Sequence, residues 1–256
     1  MGNPADEPEQ DSSVSRSAEE KCVVRNHLLL SIPASELRLL RPHLQACHFR
    51  QHEILHEPSQ RLQFAYFPNS GLISLVVAMA DGSTVEAGMV GREGMAGLSC
   101  AAGLTRCSLR LVVQIPGEGL KIRIGHLQAA LKPASQFQMS VGRYAVIKGM
   151  QMAQTAACNR LHDARQRLAR WLLTARDRVD MESLPVTHDF LATILGTDRP
   201  SVSLAAKLLQ RKGIIEYKRG RISILSLRKW ENSSCECYRV IQTLAKRLTD
   251  REKDCD

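Results

Sequence analysis

The side chains with the most chemical reach in this chain gather in GTDRPSVSLAAKLLQRKGI, residues 196–214. Wound at about 100° per residue, the segment places Val202, Ala205, Ala206 and Leu209 in one sector and Pro200, Ser203, Leu204, Lys207 and Arg211 in the opposite one. Arg199 and Ser201 stand in its first turn. Guanidinium and ammonium groups only donate hydrogen bonds, so their natural partners are phosphate oxygens and the acceptor edge of guanine. The chemistry on offer is recognition of a polyanion. A helix that only filled a core would need no such second face.

Local signals say how this helix is held. Thr187 is placed to cap HDFLATIL (188–195), in which Phe190, Leu191 and Ile194 form a short apolar stripe behind His188. Gly196 ends that helix where the chain must turn, Asp198 caps the next one, and Pro200 fits a first turn that has no use for its missing N–H. Next comes GIIEYKRGRISIL, with strand-like Ile214–Ile215 and 222–225 around a charged tight turn of Lys218, Arg219, Gly220 and Arg221. Helix, glycine turn, helix and basic hairpin in this order describe a winged helix-turn-helix. The DNA contacts expected from this arrangement are Ser203, Lys207 and Arg211 on the second helix, His188 at the start of the first, and Lys218, Arg219 and Arg221 on the wing.

Charge agrees with this. The formal net charge of the 256 residues is +9, and 159–230 alone hold fifteen basic against seven acidic residues. No apolar run approaches the ~18 residues of a membrane span. The opening MGNPADEPEQDSSVSRSAEE is polar and acidic, without a leader pattern, so 1–24 read as a disordered tail and the expected location is cytoplasmic. Between tail and helices, 25–132 begin with one or two short helices in 27–45, with Ser35 ahead of a Leu37, Leu40, Leu44 stripe. Short β-branched runs follow, broken by Asp81-Gly82 and Pro116-Gly117, which predicts a β-sandwich or β-roll. Residues 133–158 read as one long helix with two apolar sides: Phe137, Val141, Tyr144 and Met152 on one, Met139, Val146, Met150, Ala153 and Ala157 on the other. The first side fits the β domain and the second a copy of itself in a homodimer. From Asn159 an amphipathic helix with Leu161, Ala164, Leu168, Leu172 and Ala175 opens the DNA-binding unit at 159–230, and 231–256 form a helical extension with Tyr238, Ile241, Leu244 and Leu248 on one face.

The eight cysteines are scattered, without Cys-x-x-Cys, and read as buried or free thiols. Cys235-Glu236-Cys237 lacks a second pair at metal-ligand spacing, and His48, His52 and His56 lie in a strand-like stretch where they would not converge. No metal site is expected.

The stretch VTHDFLATILGTDRPSVSLAAKLLQRKGIIEYKRGRISIL (186–225) resembles the winged helix-turn-helix of the Crp/Fnr family of bacterial transcription regulators, and the order of β-rich region, long helix and DNA-binding unit over roughly 25–230 is similar to that family as well. The resemblance implies an α+β fold: an N-terminal cyclic-nucleotide-binding-like β-roll (jelly roll) over 25–132, a dimerisation helix over 133–158, and regulation at palindromic double-stranded DNA with RNA polymerase as a further partner. It implies that Arg199 reads guanine and that Ser201 and Thr187 touch the backbone. Pro200 and Leu204 stand where the family has a base-reading Glu and Arg, so the usual family operator is not implied. The family's nucleotide cassette is matched only in degraded form by Glu93, Arg106 and Ser108, which would line an effector pocket. No cofactor is expected, a cyclic nucleotide being the exception that the cassette would allow. The N-terminal cysteine cluster of the family's oxygen sensors is not available, since only Cys22 lies in the tail.

Ser-His-Asp, phosphate-loop and paired-acid signatures of an enzyme are missing from the sequence. The remaining alternative is a cytosolic ligand-binding or scaffold protein whose winged helix serves protein contacts.

Overall fold

The computed structural model describes residues 23–58, 60–179 and 181–249. The expected tail therefore lies outside the described residues except for Val23 and Val24. Two short helices lead in, α1 (His27–Leu30) and α2 (Ala34–Leu40), followed by a tight turn of 3-10 helix at Arg41–His43. Ser35 does not cap: it lies inside α2, and Pro33 holds the cap position without a side-chain bond.

Seven strands then build two antiparallel sheets: β1 (Gln45–Phe49), β2 (Ile54–His56), β3 (Phe64–Pro68), β4 (Leu72–Ala78), β5 (Thr84–Val90), β6 (Arg110–Ile115) and β7 (Gly117–Arg123). One sheet runs β1-β7-β3 and the other β2-β6-β4-β5. Asp81-Gly82 turns β4 into β5 as its residues require: Gly82 has φ +84°, and the Asp81 carboxylate accepts the Ser83 N–H at 2.9 Å. Strand β4 explains its own largely apolar spelling, LISLVVA, with apolar residues on both faces and one serine, Ser74. Alternate residues of a strand face opposite sides; Ile73 and Leu75 join the interior of the roll, whereas Leu72 and Val76 join a second core shared with the C-terminal helices.

After α3 (Ile124–Leu131) comes the 27-residue α4 (Ser135–Leu161). Phe137, Val141 and Tyr144 are buried against the roll, while Met139, Val146 and Met150 are exposed. The helix outlasts the expected end at 158 by one turn, and the amphipathic helix expected from Asn159 starts later, as α5 (Ala164–Val179). The reason is local. Asp163 and Gln166 cap each other's backbone, Gln166 N–H to Asp163 Oδ1 at 2.8 Å and Asp163 N–H to Gln166 Oε1 at 3.2 Å. This reciprocal box starts a new helix and leaves Leu161 outside, 75% exposed.

The C-terminal unit comprises α5, β8 (Ser183–Leu184), α6 (His188–Leu195), α7 (Arg199–Arg211), β9 (Ile215–Lys218), β10 (Arg221–Ile224) and α8 (Leu227–Glu231). Its small sheet has the order β8-β10-β9, so the wing gains a third strand that the sequence reading did not foresee. The extension supplies α9 (Cys237–Thr249), with Tyr238 and Ile241 buried against α4 and α5. Among the described residues no helix is long and apolar enough to cross a membrane.

A buried polar seam joins the roll to α4 and α5. Glu86 on β5 accepts the indole N–H of Trp171 at 2.8 Å and is hydrogen-bonded by Ser74. Burial pushes the Glu86 carboxyl up to about 7, against the opposing pull of Ser74 and Arg170. Beside it, Glu93 meets Arg178 Nε at 2.8 Å and Lys148 Nζ at 3.3 Å. Burial works to raise the Glu93 carboxyl, but the two cations win and hold it below its ordinary value. Lys148 falls to about 8, through burial first and then the charge of Arg178.

Candidate nucleic-acid interface

The interface is assembled by two caps and a glycine. Thr187 accepts the Phe190 N–H at 3.2 Å and starts α6. Gly196 closes it at φ +59°, a left-handed conformation in which its N–H reaches back to Ala192 and Thr193; a side chain there would be strained. Asp198 then caps α7, accepting the Ser201 N–H and Oγ–H, each at 2.7 Å. Such a cap contributes about 1 kcal/mol, and it fixes the direction in which α7 leaves the turn. Val202, Ala205, Ala206 and Leu209 are the buried residues of α7, the four that the periodicity turns inward. Ala205 and Ala206 are small enough to let α6 lie close.

The opposite face of α7 is open. The Arg199 side chain is 65% exposed, and Lys207 and Arg211 are exposed beyond it. Arg199 Nε lies 3.3 Å from Asp189 Oδ1. An ion pair so exposed is worth little, so the guanidinium can turn to a stronger acceptor. Leu204 is 61% exposed and stands on the outward face with the cations. An aliphatic group there suits the methyl of a thymine.

Three expected contacts are employed inside the unit. Ser203 Oγ lies 3.0 Å from His188 Nδ1, and the His188 ring stacks on Tyr217 of β9 at 4.1 Å between centroids. Burial, with the charge of Arg199 second, keeps the His188 pKa low, so the neutral ring acts as a spacer tying α6, α7 and the wing together. Ser201 likewise spends its hydroxyl on Asp198.

At the wing tip Arg219 (φ +50°) and Gly220 (φ +74°) are both left-handed, the geometry of the tight hairpin turn that follows the strand twist. Asn-Gly or Gly-Gly would be the easy choice there; an arginine accepts strain on the order of 1 kcal/mol and places a cation at the tip. Lys218 is exposed beside it, whereas Arg221 is drawn back onto β8, its Nε 3.2 Å from Ser183 Oγ. Lys212, Arg228 and Lys229 are further exposed cations that the sequence reading left out; Lys212 lies just past the end of α7, and the other two stand on α8 beyond the wing.

The expected effector residues do not converge in this way. Glu93 is buried and held by Arg178, Lys148 and the Gly91 N–H at 2.9 Å. Arg106 and Ser108 are exposed in the segment between Ala102 and β6. The carboxylate that would accept a ribose hydroxyl thus serves the seam instead.

A second convergence was missed. Cys158 and His162 at the end of α4 meet Cys235 and Cys237 ahead of and at the start of α9, with all four ligand atoms within 4.8 Å of one another. The pair that Cys235 and Cys237 lack in sequence is supplied by the fold. The available signal was the spacing Cys-x-x-x-His, which puts two side chains on one side of a helix end.

Residues 166–232 match the model of the Crp-like helix-turn-helix domain. Curated proteins offer no sequence match to the chain. Among solved structures, FixK2 from Bradyrhizobium japonicum superposes with a TM-score of 0.65 at 15% identity, covering 75% of this chain and 98% of that one. CLP of Xanthomonas campestris, a regulator responsive to c-di-GMP, gives 0.63 at 17% identity, covering 76% and 100%. A CRP-family transcriptional regulator from Thermus thermophilus gives 0.60 at 20% identity, covering 73% and 96%. At such identities the likeness is one of fold. The chain therefore carries a Crp-like helix-turn-helix domain and has the fold of the Crp/Fnr transcriptional regulators.

Proposed function

We propose that the protein is a homodimeric, sequence-specific DNA-binding regulator that lays α7 in the major groove and its wing on the adjoining phosphates. The observation that carries this reading is the open face of α7, where Arg199, Leu204, Lys207 and Arg211 stand beside the exposed tip of Lys218 and Arg219. Arg199 pairs with guanine, Leu204 with a thymine methyl, and the remaining cations with phosphate.

The dimer is supported by α4. Its outward stripe of Met139, Val146, Met150, Ala153 and Ala157 is exposed, and Gly142 and Gly149 have open space where a side chain would stand. A two-fold axis through this stripe covers it with its own copy and places two α7 helices about one DNA turn (~34 Å) apart.

The test is selection of bound fragments from random duplexes, followed by anisotropy titrations over a range of salt. We expect a palindromic site and an affinity that falls steeply as salt rises, because neutralised phosphates release counterions. Binding that is sequence-blind and insensitive to salt would return the winged helix to protein contacts and defeat the proposal.

A further inference from the structure

Cys158, Cys235 and Cys237 form a small buried cluster of their own, apart from the two large cores. His162 closes it. Cys158 Sγ lies 3.5 Å from Cys235 Sγ, and Cys237 Sγ lies 3.6 Å from His162 Nδ1. In a tetrahedral zinc centre, bonds of about 2.3 Å to sulfur and 2.0–2.1 Å to nitrogen put neighbouring ligands about 3.6–3.8 Å apart. The two distances are already near those edges. With no pair of ligand atoms beyond 4.8 Å, the cage suits one ion; the ligands of an iron–sulfur cluster are divided among two or more irons, and those on different irons stand further apart.

The surroundings are those of a ligand set. His162 turns Nδ1 to the cysteines and Nε2 to Glu236 Oε1 at 3.4 Å. A carboxylate on the far nitrogen is the usual way a metal-bound imidazole is oriented. Gln154 donates to Cys237 Sγ at 3.1 Å. The buried Arg170 acts on Cys158 electrostatically, a cation suited to the net negative charge of a divalent ion held by three thiolates.

We propose that Cys158, His162, Cys235 and Cys237 bind a single divalent, thiolate-preferring metal ion, zinc by preference, that fastens the C-terminal helix to the junction between α4 and α5. Four protein donors leave no open position and the three cysteines are buried, so the site is structural in type. Its position gives the ion a task. Cys158 and His162 flank the break where the long helix ends and the DNA-binding unit begins, and the other two ligands come from the extension. Occupancy therefore sets the geometry of that break. Its effect on DNA rests on the function proposed above; the site itself does not.

The experiment uses the full chain, with any affinity tag removed, expressed in zinc-supplemented medium. Elemental analysis of the folded protein is expected to show about one zinc per chain. Replacement by Co(II) should give the intense visible bands of a tetrahedral, thiolate-bound ion. Cys158→Ser and Cys237→Ser should drop the metal to about a tenth or less, while Cys47→Ser and Cys107→Ser leave it unchanged. Glu236→Gln should retain the metal with an affinity about 10-fold lower. Should the serine variants fail to fold, His162→Cys keeps four donors; it should hold zinc and shift the cobalt spectrum toward that of a four-thiolate centre. Folded wild type with negligible zinc, metal content indifferent to Cys158 and Cys237, a cobalt spectrum unmoved by His162→Cys, or a Cys158–Cys235 disulfide in freshly purified protein would each overturn the proposal. DNA affinity is measured separately, so that a failure there bears on the regulator reading alone.

Discussion

Trp171 on α5 donates its indole N–H to Glu86 on β5 at 2.8 Å, so the helix that opens the helix-turn-helix unit is hydrogen-bonded into a sheet of the β-roll. The bond is buried at both ends. A movement of α5 relative to the roll has to break it.

The first prediction concerns that carboxyl. Glu86 faces Trp171, Arg170 and Arg178 from α5, Lys148 from α4 and Ser74 from β4. Its folded pKa, about 7, lies above its unfolded value, so the folded state holds the extra proton between roughly pH 4.5 and 7. The stability this confers is fully present below the unfolded value and is lost as pH rises through 7. Glu86→Gln does not titrate. Urea titrations at pH 5 and pH 8 should show the variant gaining on wild type at the higher pH, by on the order of 1–3 kcal/mol. A difference that is flat with pH would mean that Glu86 is ionised throughout.

Arg199→Ala should cost about 1–3 kcal/mol of discrimination at one base pair, roughly 10- to 100-fold in affinity for the selected site. Sedimentation should show an unchanged oligomeric state. Parent and variant binding the same site equally would remove Arg199 from base reading.

Val146→Asp or Met150→Asp places a charge in the outward stripe of α4. The expected product is a folded monomer by sedimentation, binding the palindrome about 100-fold or more weakly as the second half-site is lost. A dimer that survives both substitutions would put the interface elsewhere.

Arg219→Asn should relax the left-handed turn and stabilise the protein by up to about 1 kcal/mol, while lowering the slope of log affinity against log salt by about 1. Thermal melts and salt titrations read the two effects separately. A slope that does not change would take the wing tip off the phosphates.

What could be read from residue order was whatever depends on near neighbours. The caps at Thr187 and Asp198, the left-handed Gly196, the four inward residues of α7 and the hairpins at Gly82 and Gly220 are all set within a few positions. The break between α4 and α5 was expected after residue 158 and falls at His162; the Asp163–Gln166 box that sets it is equally local, but Leu161 fits the apolar stripe of the second helix and drew the boundary forward. Long-range pairing was out of reach. Nothing near Glu93 announces Arg178 or Lys148, and the cysteine cluster joins residues 77 positions apart. Burial of β4 on both sides was legible in principle from its largely apolar spelling, but a run of that length does not say which element lies behind it.

The shared core on the outer side of β4 bears on how this protein can be engineered. Leu72, Val76 and Met89 of the roll are packed with Trp171 and Leu172 of α5. The winged unit is therefore not a detachable cassette. A chimaera joined between α4 and α5 would leave one parent with a naked sheet face and the other with Trp171 and Arg178 orphaned, and such grafts will need the β4–β5 surface carried across with them.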